Sequence, residues 1–238
     1  MAKDVAVILA AAGKSSRFGD SQTKKVFALL QGRAVWLHSA DVFLDHPRVG
    51  QIVVVIDPED RDLFREKFSA NSTMMGIDVV LGGAERWQSV QNALERVRPE
   101  IQWVAVHDAA RPCIAPAWID KVLDAAHKSG AAILGLPIYG TVKKANRDGE
   151  ISETIPRDNL WQAQTPQVFK KEILLRAYAN RGSLNPTDDA QLVEKLGVPI
   201  QLVTGSHLNI KITTREDFRF AESALKSVPK STGFSFFQ

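Results

Sequence analysis

The sequence predicts a doubly wound α/β fold on a mostly parallel sheet, with a β-hairpin arm standing out from it. Three observations carry this. Short runs rich in Val and Ile recur without alternating with polar residues, as strands buried on both faces do. Between them, apolar residues repeat at i, i+3/i+4 and i+7, the spacing of a helix with one buried face. The alternation breaks once, after Pro137, where two β-prone segments flank an Asp-Gly turn.

The first expected strand is 5–9. Trp36, Ala40, Phe43 and Leu44 then share one helical face. Strands follow at 52–56 and 77–81, and Val90, Ala93, Leu94 and Val97 mark a second helix. After a strand at 103–106, Ile119, Val122, Leu123 and Ala126 mark a third helix, and 131–136 reads as a strand. Segments 141–145 and 151–155, joined through Asn146-Arg147-Asp148-Gly149, read as the hairpin. Helices are expected at 167–181, ending near Gly182, and at 188–196, stopped by Gly197-Val198-Pro199. Strands at 200–203 and 210–212 and a helix at 216–226 complete the pattern. With no repeat and no linker, residues 1–238 read as one domain, with the arm at about 139–162. The tail, 228–238, carries Pro, Gly, Ser and three Phe, and reads as either mobile or docked through its aromatics.

Composition excludes several classes. With 45% hydrophobic and 24% charged residues in 238, the chain is neither disordered nor collagenous. Cys113 stands alone, so no intramolecular disulfide can form, which fits a cytoplasmic protein. The apolar run from Val5 to Ala12 falls short of the ~20 residues a membrane span needs. Lys3 before that run resembles a secretory leader, but Asp4 and the missing polar spacer oppose it. His38, His46, His127 and His207 have no partner at ligand spacing, so no zinc site is expected. The net charge of +3 argues neither for nucleic acid nor for a membrane surface; where the cations converge matters more.

They converge after the first strand. Ala10-Ala11-Ala12-Gly13-Lys14-Ser15-Ser16-Arg17-Phe18-Gly19 lets a backbone approach a ligand closely, and consecutive N–H groups can form an anion nest. Lys14, Arg17, Lys24 and Lys25 surround it. The alternative is a plain strand-to-helix turn with a solvated basic surface. Two familiar motifs fail. A Walker A loop ending at Gly13-Lys14-Ser15 needs Gly at position 8, which is Ile8, and a dinucleotide fingerprint needs Gly where Ala11 and Ser15 stand.

Four further stretches point to chemistry: Gly82-Gly83-Ala84-Glu85-Arg86-Trp87-Gln88-Ser89-Val90, His107-Asp108-Ala109-Ala110-Arg111-Pro112, Leu160 to Gln167, and Asn209-Ile210-Lys211-Ile212-Thr213. Two of them follow expected strands, where open α/β sheets bind ligands. Asp108 can accept a hydroxyl or help hold a cation. Arg111 can clamp a phosphate or simply pair with Asp108. His107 is expected to pack rather than act as a base, because adjacent strand residues point to opposite faces.

The first loop resembles that of nucleotidyltransferases that activate small molecules as nucleoside diphosphate derivatives. With the other four stretches, in order, the chain from Val5 to Leu225 resembles the 2-C-methyl-D-erythritol 4-phosphate cytidylyltransferase family. The resemblance implies a Rossmann-like fold of the nucleotide-diphospho-sugar transferase type. It implies transfer of CMP from CTP to 2-C-methyl-D-erythritol 4-phosphate, assisted by Mg²⁺ held mainly by the CTP phosphates. It assigns Arg17, Lys25 and Lys211 to catalysis and Ala11, Ala12, Gly13, Gly83, Ala84, Arg86, Ser89 and Asp108 to CTP. Asp108, Arg111, Thr141, Arg157, Thr165 and Thr187 are assigned to the acceptor, with the arm crossing to a second subunit of a homodimer. Thr187 also reads as the N-cap of the next helix. Lys24 stands at the usual Pro position and competes with Lys25, and Gly140 stands where the family has Asp. Two other readings share many of these features: a cytidylyltransferase for another polyol phosphate such as ribitol 5-phosphate, and an inactive nucleotide-binding module.

Overall fold

The computed structural model describes residues 3–19 and 23–229. The strands of the central sheet are β1 (Val5–Ala10), β4 (Val49–Ile56), β5 (Asp78–Leu81), β6 (Trp103–Asp108), β7 (Ala131–Pro137), β10 (Trp161–Lys170) and β11 (Gln201–Thr204). Their order is β11-β7-β10-β6-β1-β4-β5. Among these strands only β10 runs against its neighbours, pairing antiparallel with β6 and β7. The small hairpin of β2 (Leu29–Leu30) and β3 (Arg33–Ala34) forms a separate sheet, as does the hairpin of β8 (Val142–Ala145) and β9 (Ile151–Ile155).

The missing alternation in the strands has a direct cause. Val7, Leu9, Val54 and Ala105 enter one core with α1 (Val35–Leu44), α2 (Arg61–Met74) and α4 (Pro116–Ser129). Ile8, Val53, Val55 and Val106 enter the other with α3 (Arg86–Leu94), α5 (Lys171–Ala179) and α6 (Asp189–Glu194). These central strands are therefore apolar on both faces, and the sheet is wound on both sides. A third cluster seats Phe18, Leu30, Cys113 and Ile212 against α7 (Arg215–Ser227).

Two expected elements differ and one is additional. Residues 167–170 are the end of β10 rather than the start of a helix: Gln167–Lys170 pair with β6, and the helix begins at Lys171. Tertiary pairing overrides the helical reading of these four residues, while the helical spacing of Leu174, Ala177 and Tyr178 is kept in the helix that follows. Residues 210–212 are not a strand. Their backbone is held instead by the Ile212 N–H donating to the Ala110 carbonyl at 2.8 Å. The helix α2 is additional, because its buried stripe is only Phe64, Phe68 and Ser72, too narrow to stand out in the sequence. The hairpin forms where expected, its turn made by Gly149 at φ +86° and by Asn146 Oδ1 accepting from Asp148 N and Glu150 N. Of the tail, residues 230–238 lie outside the described residues.

Candidate active site

At the carboxyl ends of β1, β4, β5 and β6 lies a cleft of about 590 Å³. The loop after β1 forms one wall. Phe18 anchors it, buried to 1% exposure and edge-on to Phe218 at 5.9 Å. That anchor places Arg17, itself exposed, on the rim. Ser15 Oγ accepts from the Lys25 backbone N–H at 3.3 Å and so brings Lys25 to the same wall.

The opposite wall is the turn from β5 into α3. Gly82 is held by its N–H donating to Ile56 O at 2.8 Å. A Cβ there would meet Ala12 Cβ at 2.8 Å and Ser89 Oγ at 2.6 Å, so the two loops approach as closely as glycine permits. Ser89 Oγ accepts from Gly83 N at 3.1 Å and donates to Glu85 O at 3.2 Å, which fixes the turn. This leaves a floor of backbone edges and small side chains, Ala12, Gly13, Gly83 and Ala84, suited to a flat base.

Asp108 ends β6 and is the charge centre. Lys211 Nζ lies 3.0 Å from Asp108 Oδ2 and Arg111 Nε 3.1 Å from the same oxygen. Burial works to raise the Asp108 pKa, but Lys211, Arg111 and Arg86 overcome it and hold the carboxyl well below the usual range. The Lys25 pKa is lowered too, but by a different cause: burial lowers it most, Lys211 and Arg17 lower it further, and Asp108 opposes them. Around Asp108 the cations Lys25, Arg86 and Lys211 outnumber this carboxylate, so this part of the cleft is suited to receive further negative charge.

Lys24 faces elsewhere. Its Nζ sits 3.1 Å from Asp57 and 2.9 Å from Asp60, and it does not line the cleft. The structure therefore sets Lys25, and not Lys24, beside Arg17 and Lys211.

Of the expected site residues, Ala12, Gly13, Arg17, Lys25, Gly83, Ala84, Arg86, Ser89, Asp108 and Lys211 line this one cleft. Ala11 does not. Its side chain is in the core and its N–H donates to Val55 O at 2.9 Å. Arg111 lies behind Asp108, donating from Nη1 to Asn209 O at 2.8 Å, and so braces the segment that carries Lys211. Thr165 is buried: its hydroxyl accepts from Asp108 N at 3.0 Å and lies 3.1 Å from His107 Nδ1. His107 Nε2 in turn lies 3.2 Å from Arg111 O. Both ring nitrogens are occupied and burial lowers the His107 pKa to about 4, so it stays neutral and packs, as expected. Thr141 and Arg157 lie by the arm, away from the cleft, with Arg157 donating to Tyr139 O. Thr187 is exposed and is not the helix cap. Asp188 takes that place, accepting from Gln191 N at 3.0 Å.

Two groups and one pairing escaped the sequence reading. Asp57 and Glu59 line the cleft from the turn after β4, and Asp57 follows a buried strand much as Asp108 ends one. Asp189 binds Arg86 from 103 positions away, a pairing that no local pattern reveals.

Comparison with known proteins gives a consistent result. The sequence model of the 2-C-methyl-D-erythritol 4-phosphate cytidylyltransferase family matches residues 5–227. A protein of that name from Rhodopirellula baltica is 45% identical over 235 residues, spanning 94% of this chain and 96% of its own. One from Solibacter usitatus is 40% identical over 93% of this chain and 96% of its own. The crystal structure of a protein of that name from Thermus thermophilus superposes with a TM-score of 0.76 at 30% identity, covering 92% of this chain and 98% of that one.

Proposed function

Because the chain belongs to the 2-C-methyl-D-erythritol 4-phosphate cytidylyltransferase family, and so transfers CMP from CTP to 2-C-methyl-D-erythritol 4-phosphate in isoprenoid biosynthesis, we propose that the cleft beside Asp108 is where this transfer occurs. One observation carries the reading: Arg17 and Lys25, from the segment after β1, and Lys211, from a distant part of the chain, face one cleft lined by backbone edges.

The chemistry asks for little else. A phosphomonoester has its second pKa near ~6, so the acceptor reaches neutral pH already as a nucleophile and needs no general base. Its phosphate oxygen attacks the α-phosphorus of CTP, the bond from that phosphorus to the bridging oxygen breaks, and pyrophosphate leaves with both electrons. The barrier is the meeting of two anions, which positioned cations lower. Arg17 and Lys25 hold the triphosphate, and Lys211 stands where charge builds at the α-phosphorus. The backbone of Gly82 and Gly83 and the Ser89 turn take the cytosine, and Asp108 takes the sugar.

Mg²⁺ fits as an ion brought in by the nucleotide. Among the described residues no cluster of three acidic, His or Cys side chains could cage it, and Asp108 is already paired with two cations. When bound, Mg²⁺ neutralises triphosphate charge. The arm is read as the interface of a homodimer, because Tyr139 and Ile151 remain 67% and 66% exposed on it. Across that interface Thr141 and Arg157 would meet the acceptor in the partner's cleft, whereas Thr187 would meet the acceptor bound to its own chain. The cytoplasmic reading is supported by Cys113, a free thiol buried in the core. No helix among the described residues is long and apolar enough to cross a membrane.

The test is pyrophosphate release with CTP and the acceptor. Arg17→Ala and Lys25→Ala are each expected to lower turnover at saturating CTP by at least ~10²-fold. Near-normal turnover of both removes them from the mechanism.

A further inference from the structure

The helix α3 begins at Arg86, directly after its N-cap Glu85. A cation in the first turn opposes the helix dipole, so this is a poor place for arginine unless something offsets it. Asp189 does. Arg86 Nη2 donates to Asp189 Oδ2 at 2.8 Å, and the Tyr178 hydroxyl donates to Oδ1 at 2.6 Å. Asp189 is 0% exposed, and its neighbours Ala190, Leu192 and Val193 belong to the apolar core. Burying a carboxylate there carries a heavy desolvation penalty, and a hydrophobic residue would serve the core better.

The reason for the charge lies at the far end of the pair. Arg86 lines the cleft, and its pKa, which burial lowers, is pushed up by Asp189 first and by Asp108 second. Two carboxylates thus compete for one guanidinium. Released from Asp189, Arg86 would be drawn to Asp108, which Lys211 and Arg111 already occupy. No step of the transfer uses Asp189.

We infer that Asp189 is a positioning residue for the transfer reaction: it holds Arg86 at the nucleotide end of the cleft and away from Asp108, and acts only through Arg86. This rests on the reading of the cleft as the CTP site. The held guanidinium keeps the entrance for CTP open and leaves the Asp108–Lys211 pair undisturbed. Asp189 lies two residues after Thr187, so one short helix start would serve both the nucleotide and the acceptor.

A double-mutant cycle on CTP affinity and steady-state kinetics tests it. Asp189→Asn keeps the shape and the Tyr178 hydrogen bond but removes the charge. It is expected to raise the CTP KM and Kd by at least ~10-fold, with kcat changed by less than ~3-fold. In an Arg86→Gln background the same change is expected to move KM by less than ~2-fold. Equal effects in both backgrounds, or no effect in the native background, overturn the inference. If Arg86→Gln itself leaves CTP affinity unchanged, the cleft reading fails as well. Should Asp189→Asn not fold, Asp189→Glu enters the same cycle. It keeps the charge but displaces the guanidinium, and its effect on KM must likewise vanish when Arg86 is gone.

Discussion

Lys211 Nζ lies 3.0 Å from Asp108 Oδ2, joining the segment before α7 to the end of β6. The Lys211 side chain is 44% exposed and Arg111 stays on the same Asp108 oxygen, so the carboxylate keeps a cation without Lys211 and the contact adds little to stability. Its value lies in placing a cation over the cleft. Lys211→Met is therefore expected to lower turnover at saturating CTP by ~10²-fold while shifting the melting temperature little. A large drop in melting temperature with turnover preserved would make the pair structural.

Neighbouring Lys24 and Lys25 should separate stability from catalysis. Lys24 neutralises Asp57 and Asp60 together, and burial raises the Asp60 pKa despite that cation. Lys24→Ala leaves both acids without it and is expected to cost about 1–3 kcal/mol in urea unfolding, with turnover within ~3-fold of native. Lys25→Ala should do the reverse: little loss of stability and a large loss of turnover. The opposite pattern would put Lys24 at the phosphate.

That division also shows how far the sequence could be read. Runs such as Val5 to Leu9 declare a sheet covered on both faces, because every second residue enters a different core. Asp108 and the Gly82-Gly83 turn were legible because they close strands, whereas Lys25 and Lys211 were assigned only through the family resemblance. What could not be read depends on contacts distant along the chain. β10 is a strand only because β6 and β7 pair with it, and Thr165 is consumed by Asp108 and His107 only once that strand is in place. Ala11 is missing from the cleft lining for a simpler reason. It alternates with Ala10 and Ala12, which face the cleft, and so points into the core.

Burial lowers the His107 pKa to about 4 from 6.5, and this fixes a pH dependence. The unfolded chain binds a proton below 6.5 that the folded chain refuses until about 4. The contribution is thus complete above 6.5 and is lost as pH falls towards 4, on the order of 3 kcal/mol in all. Urea unfolding of the native protein and His107→Gln at several pH values should give curves that converge across this window. A constant difference between them would mean that His107 does not titrate on unfolding.

The arm gives the last prediction. Thr141 and Arg157 do not reach the cleft of their own chain, while Ile151 and Tyr139 present apolar surface on the same hairpin. If the arm pairs with a second copy, one change should weaken both the dimer and acceptor use. Ile151→Glu places a charge on that surface without touching either core, since β9 pairs only with β8. Sedimentation should then show a dimer for the native protein and a larger monomer fraction for the variant. CTP affinity should hold within ~2-fold, because the nucleotide cleft is formed within one chain, whereas the KM for the acceptor should rise by at least ~5-fold. A native monomer, or a dissociated variant with native acceptor kinetics, would place the acceptor residues somewhere other than across the arm.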